Sequence, residues 1–257
     1  MEFVKAKTIL TKAKDGSEWY GVDYNMNLYR GCSYGCIYCD SRSDCYHIDN
    51  FDIVKGKENM LHILENELSK KRTKGVIGIG AMSDTYNPME IKSKNNVIIK
   101  FTITTPDDKL SKIIEPNVCI SSKRLEAIKI LNDNGIFTGI MMNPVLPFIT
   151  DKEDEIKKLV ELASRSSAKF IHTYMGMTLR ENQRAYYFDK LDEKFPGLKE
   201  KYIKTYGDKY NCLTPNYKQL YKAFTAECDK YGILYKMKDI IRAYKKDGTN
   251  DEQISLF

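Results

Sequence analysis

No run of about 18 apolar residues occurs anywhere in the 257-residue chain, so the sequence offers no membrane-spanning helix. The most hydrophobic stretch, Gly135 to Ile149, is interrupted by Thr138, Asn143 and two prolines. The amino terminus, Met1-Glu2-Phe3-Val4-Lys5, has neither the apolar core nor the small-residue cleavage site of a secretory leader, and a cytoplasmic location with reduced thiols is the expectation. Evenly paired cysteines are lacking too. There are seven, three of them clustered and Cys45, Cys119, Cys212 and Cys228 scattered, which is unlike a disulfide framework. The scattered four read as buried small apolar residues rather than ligands. Blocks of one charge are also missing: the formal net charge is +6, but the lysines are interleaved with acidic residues, so charge is compatible with a polyanionic partner without requiring one.

What the chain does have is Gly31-Cys32-Ser33-Tyr34-Gly35-Cys36-Ile37-Tyr38-Cys39-Asp40, with three cysteines at C-x3-C-x2-C spacing. Thiols this close in sequence can converge on one small object, and a metal or cluster is that object. Gly31 and Gly35 supply the backbone freedom that a chain wrapping a cluster often needs. A structural zinc site would complete four ligands with Cys45 or His47. A cubane iron–sulfur cluster held by three cysteines would instead keep one iron open for a ligand.

The length suits one large α/β domain or two small ones. Thr8-Ile9-Leu10, the turn-like Asp15-Gly16 and Trp19-Tyr20 read as a strand or hairpin, and Met26 to Arg30 as a short strand delivering the chain to the cysteine loop. Leu61, Leu64 and Leu68 stripe a helix between Lys57 and Thr73. The apolar run Gly75 to Ala81 predicts a strand buried on both faces, and Val97 to Thr105 another strand. A helix marked by Leu125, Ile128 and Leu131 stops at Asn134-Gly135, and the strand Ile136 to Met142 follows. Thr150 and Glu153 predict a capping box opening a helix striped by Ile156, Leu159, Val160 and Ala163, and Lys169 to Tyr174 is the last strand. Beyond Leu179 the pattern is helical and aromatic, with Tyr217, Leu220, Tyr221, Phe224 and Cys228 on one face and Met237, Ile240, Ile241 and Tyr244 on another. Strands alternating with helices predict a parallel α/β architecture.

Cys32-x3-Cys36-x2-Cys39, with Tyr38 just before the last cysteine, resembles the radical SAM signature. The resemblance implies a [4Fe–4S] cluster whose open iron chelates S-adenosylmethionine. One electron then cleaves the sulfonium to methionine and a 5′-deoxyadenosyl radical, which abstracts hydrogen from substrate. Asn27 to Cys32, Met82 to Pro88, Thr102 to Thr105, Glu115-Pro116-Asn117 with Arg124, Pro144 to Pro147 and Thr178 to Arg180 resemble the branch related to spore photoproduct lyase, often called DNA repair photolyase-like. This implies Cys32, Cys36 and Cys39 as cluster ligands and Tyr38 against the adenine. Ser83 and Asp84 would lie at the methionine amino group, and Thr105 and Arg124 are candidates for the ribose and carboxylate. It also implies a flavodoxin- or ferredoxin-type electron donor. A nucleic-acid lesion is the substrate class suggested, with lyase-like chemistry and Cys119 as a candidate thiol hydrogen donor.

The implied fold is α/β, a partial TIM-type (βα) barrel of the radical SAM kind with a helical C-terminal extension. It lacks one βα stave, because Thr85 to Asn96 is too short for the helix, strand and helix that the superfamily places there. The expected organisation is a barrel core over 1–178, a helical extension over 179–248 and a tail over 249–257. The tail's Gln253-Ile254-Ser255-Leu256-Phe257 resembles the peptide with which bacterial repair and replication proteins bind the DNA sliding clamp. The rival reading is a non-catalytic iron–sulfur or zinc protein attached to DNA repair or replication machinery.

Overall fold

The computed structural model describes residues 2–13, 18–73, 75–80 and 98–246. The described residues divide into two units: 2–13, 18–34, 46–73 and 75–80 form one, and 35–45 with 98–246 the other.

The first unit holds β1 (Glu2–Val4), β2 (Leu10–Lys12), β3 (Tyr24–Met26), β4 (Tyr29–Arg30), β5 (Lys55–Lys57), α1 (Met60–Ser69) and β6 (Ile77–Ile79). The order β1-β5-β4 makes one small sheet and β2-β3-β6 another, in which β2 and β3 are antiparallel and β3 and β6 parallel. Ile9, Leu10 and Met26 form one buried cluster of this unit, covered by Met60, Ile63 and Leu64 of α1. The face of α1 therefore differs from the expected stripe, with Leu61 69% and Leu68 36% exposed. Two stripes cross at Leu64, and Glu67 decides between them. Its carboxylate accepts the Ile9 and Leu10 backbone N–H groups at 3.1 and 2.9 Å, which turns the face made by residues 60, 63, 64 and 67 inward. β6 differs too: among the described residues it lies at a sheet edge, and Ile79 is 40% exposed rather than buried.

The second unit contains β7 (Ile98–Thr102), α2 (Asp108–Ile114), α3 (Ser121–Asp133), β8 (Phe137–Met142), α4 (Glu153–Arg165), β9 (Ile171–Thr173) and β10 (Gly176–Thr178). It continues through α5 (Glu181–Lys194), α6 (Leu198–Tyr206), β11 (Asn211–Leu213), α7 (Tyr217–Tyr231) and α8 (Met237–Lys246). The strands β7, β8 and β9 are parallel, in that order. One face of this sheet, carrying Ile140, Met142 and Ile171, is buried under Leu125 and Ile128 of α3, Ile156 to Ala163 of α4, and Leu220, Phe224 and Cys228 of α7. The predicted stripes of α3 and α4 are buried as expected, whereas Tyr217 and Tyr221 of α7 are 38% and 45% exposed. The capping box does not form. Thr150 lies too early and accepts the Leu146 N–H at 2.8 Å, leaving Lys152 at the helix start without a side-chain cap.

The stretch beyond Leu179 is not purely helical. β11 pairs antiparallel with β10, and a Cβ at Gly176 would lie 2.5 Å from the Cys212 carbonyl oxygen, so the pairing needs glycine there. After α7, Leu234 bridges Phe170 in parallel: its N–H donates to Lys169 and its carbonyl accepts from Ile171, at 3.1 and 2.8 Å.

Strand alternation puts Lys100, Gly139, Met141 and His172 on the sheet face opposite α3, α4 and α7. Burial lowers Lys100 from 10.5 to about 8, while burial and then the Lys100 charge lower His172. Between about 8 and 10.5 the unfolded lysine binds more proton than the folded one, so this residue's contribution to stability improves as pH rises through that window. One pH unit corresponds to about 1.4 kcal/mol, so even half of the displacement is worth about 1.7 kcal/mol. Lys100→Met is therefore expected to raise the urea midpoint at pH 7 by about 1–2 kcal/mol equivalent, with the gain shrinking toward pH 10. The same substitution should raise the His172 titration point followed by NMR.

Candidate metal centre

The cysteine stretch leaves β4 through Gly31, whose φ of +79° is left-handed and whose Cβ, if present, would lie 2.6 Å from the carbonyl oxygens of Phe51 and Ile53. Only glycine fits, on both counts. The Cys32 N–H donates to Phe51 at 2.8 Å, and the Arg30 guanidinium donates to the His47 carbonyl at 2.6 Å. Cys32 belongs to the first unit, Cys36 and Cys39 to the second.

In the second unit Gly35, φ +67°, packs against Pro116 and Asn117. Ile37 is 1% exposed in a core with Ile114, Leu146, Met177 and Tyr187, and its N–H donates to the Ile114 carbonyl at 3.0 Å. With Ile37 anchored, Cys36 and Cys39 are half-buried and outside any disulfide, across a turn closed by the Cys39 N–H on the Cys36 carbonyl at 3.3 Å.

Tyr38 packs against the same core and its hydroxyl donates to Glu115. Burial, then the Glu115 charge, holds its phenol well above the ordinary tyrosine value. The other Glu115 oxygen accepts from Arg124, which is 6% exposed and donates also to the Thr102 carbonyl and, at 2.8 Å, to the Ser111 hydroxyl. Thr105, another residue named from the resemblance, is buried and accepts the Asp107 N–H at 3.1 Å, organising the turn into α2. Beside it the buried Thr104 hydroxyl has no partner among the described residues. Ser83 and Asp84, the segment Thr85 to Asn96 and the tail residues Gln253 to Phe257 lie outside the described residues.

Several residues that hold the loop had no role assigned from the sequence. Asp40 accepts from Thr178 and from Arg180 at 3.3 and 3.2 Å, and Arg180 also donates to the Tyr210 hydroxyl at 3.1 Å. Asn182 bridges the Arg42 carbonyl and the Asp44 backbone and carboxylate, while buried Gln183 donates to the Tyr38 carbonyl at 3.4 Å. The loop is thus seated on the start of α5. The Thr178-Leu179-Arg180 match was the available signal; Asn182 and Gln183 carried none.

Cys45 and Cys119 prove exposed, contrary to the expected burial, whereas Cys212 and Cys228 are buried. Burial pushes the Cys228 thiol up to about 12, which keeps it a neutral packing group.

The donor set suits an iron–sulfur cluster in kind, since thiolates are the ordinary ligands of such clusters and Cys32, Cys36 and Cys39 are each partly accessible and outside any disulfide, with Gly31 and Gly35 just before the first two. Thr104 adds a buried polar atom still open at the end of β7. Among the described residues, no group of three or more His, Cys, Asp or Glu side chains is gathered as for a metal ion. No helix among them is long and apolar enough to cross a membrane.

No family model matches the chain. It is similar to an uncharacterized protein of Methanocaldococcus jannaschii, 28% identical over 170 residues, which cover 52% of this chain and 64% of that relative. Uncharacterized proteins of Mycobacterium bovis and of Mycobacterium tuberculosis strain H37Rv are each 24% identical over 242 residues, covering 77% of this chain and 71% of theirs. The chain therefore spans less than two thirds of the archaeal relative's length.

Proposed function

We propose that the chain is a radical SAM enzyme, with Cys32, Cys36 and Cys39 holding a [4Fe–4S] cluster at which S-adenosylmethionine binds. The observation that carries this reading is the C-x3-C-x2-C stretch, whose last two thiols stay half-exposed while Ile37 and Tyr38 between them are anchored in a core. When bound, such a cluster supplies one electron for reductive cleavage of S-adenosylmethionine.

The chain's own residues do the positioning. Cys36 and Cys39 are presented on a turn that Ile37 fixes from below, and Asp40, Asn182 and Gln183 fix the exit of the loop. Tyr38 lines the adenine side in this reading, and Thr104 and Thr105 stand at the end of β7, where parallel α/β folds place their chemistry. Ser83 and Asp84, outside the described residues, are the candidates that would take the methionine amino group. The parallel β7-β8-β9 sheet with helices on one face supports the partial-barrel reading, one stave short. A cytoplasmic setting, a flavodoxin- or ferredoxin-type donor, a DNA lesion as substrate and clamp binding through Gln253 to Phe257 belong to the same proposal.

The test is anaerobic purification with iron and sulfide assays, followed by reduction and addition of S-adenosylmethionine. Equal iron and sulfide, with release of 5′-deoxyadenosine, is the expected result. Folded protein that carries zinc without sulfide, and yields no 5′-deoxyadenosine, overturns it in favour of a structural zinc protein.

A further inference from the structure

We propose that Glu115 is the positioning residue of the metal centre, and that Arg124 acts on the centre through Glu115 and Tyr38 rather than by gripping the carboxylate of S-adenosylmethionine itself. The inference rests on the radical SAM reading only for the identity of the bound molecule.

Glu115 is 1% exposed and uses its two oxygens on two different partners, the Tyr38 hydroxyl on one side and the Arg124 guanidinium on the other. It follows the last residue of α2, and the neighbouring Ile114 carbonyl receives the Ile37 N–H. Pro116 and Asn117 pack against Gly35. The segment 114–117 therefore touches three residues between Gly35 and Tyr38, one by packing and two by hydrogen bonds. Glu115 converts the position of α2 and α3 into the position of the tyrosine ring beside Cys39.

Arg124 is poorly placed to be a ligand itself. One terminal nitrogen is given to the Thr102 carbonyl, and the other to Ser111 and Glu115. Its Nε is buried and has no partner among the described residues. Two of its five N–H groups are left, one on Nε and one on Nη1, and because both bidentate edges of a guanidinium include the spent Nη2, they cannot offer the two-pronged grip that makes arginine a carboxylate binder. What Arg124 does supply is the counter-charge that lets the Glu115 carboxylate stay buried against the tyrosine.

Two measurements separate this inference from the reading it rests on. In the cofactor-free protein, hydrogen exchange at the Ile37 amide should quicken about tenfold in Glu115→Gln and in Arg124→Lys, while amides of β8 keep their protection. Unchanged exchange at Ile37 in both variants overturns the positioning role, whatever the protein binds. In the reconstituted protein, the Kd for S-adenosylmethionine, followed by the change in the cluster's EPR signal, should weaken about tenfold in Arg124→Lys. The same substitution made in a Tyr38→Phe background should add less than about twofold, because its route to the cofactor is already cut. An equal loss in both backgrounds would show that Arg124 touches the cofactor directly. Wild-type protein with neither cluster nor S-adenosylmethionine binding fails the radical SAM reading and leaves the exchange result to decide the role of Glu115.

Discussion

Replacing Cys36 and Cys39 together with alanine is expected to lower iron and sulfide per chain at least about tenfold, while the cofactor-free protein melts within about 0.5 kcal/mol of wild type. The asymmetry follows from where the loop gets its shape. The turn is held by the Ile37 N–H on Ile114, by the burial of Ile37, by Tyr38 on Glu115, and by Asp40 on Thr178 and Arg180. None of these contacts uses a thiol. The two cysteines are half-exposed, so truncating them opens no core cavity, and Cys32 alone cannot hold a cluster. The contrasting variant is Cys228→Ala. That thiol is fully buried among Leu220, Phe224 and Ile233, and its loss should cost about 1–2 kcal/mol of stability and no iron. Iron and sulfide assays beside thermal melts decide the matter. Full iron retention in the double variant would remove these cysteines from the ligand set.

Arg124→Met is expected to give the largest loss of stability of any single substitution on the loop's support, about 3–5 kcal/mol. The guanidinium carries contacts to Thr102, Ser111 and Glu115 in a site where Glu115 is 1% exposed. Methionine fills most of the volume and leaves a buried carboxylate without its counter-charge. For a chain of this size such a loss lowers the melting temperature by roughly 10 °C. Adding Glu115→Gln to the same chain should recover part of it, because a neutral amide can remain bonded to the Tyr38 hydroxyl without carrying an unpaired charge. Differential scanning calorimetry of the two single variants and the double variant tests this, and additive losses would contradict it.

Much of the second unit was legible because its signals are long and redundant. Ile156, Leu159, Val160 and Ala163 repeat at helical spacing over two turns, and all four are buried. Asn134-Gly135 ends α3 where the sequence put the stop, with Gly135 at φ +79°. The first unit was harder, since its strands are two or three residues long and its one described helix carries two competing stripes. Glu67 chooses between those stripes through hydrogen bonds to residues 57 and 58 positions away, which no local pattern encodes. β10 and β11 escaped for a similar reason: three-residue strands separated by two helices have no periodicity to read.

At the candidate centre the three cysteines stand out by their spacing, but the residues that support their loop do not. Glu115 stood inside a stretch that matched the resembled family without any role, because a buried carboxylate cannot be told from a solvated one in sequence. Asn182 and Gln183 recognise backbone atoms of a loop about 140 residues earlier. By its place in the resemblance Arg124 is a ligand candidate, but it is buried with three protein partners, which ties it to the tyrosine through Glu115.

Leu234, which lies along β9, gives the segment after α7 a second meaning. An exposed outer strand is a template on which another chain can add itself, and an uncovered β9 would offer its backbone groups to a neighbour. The residues that follow α7 occupy that position first, bonding both Lys169 and Ile171. This guard is made by the chain after the strand it protects. During synthesis there is consequently an interval in which β9 exists without its cover, and a chain cut short before Gly232 would live in that interval permanently, prone to sticky association.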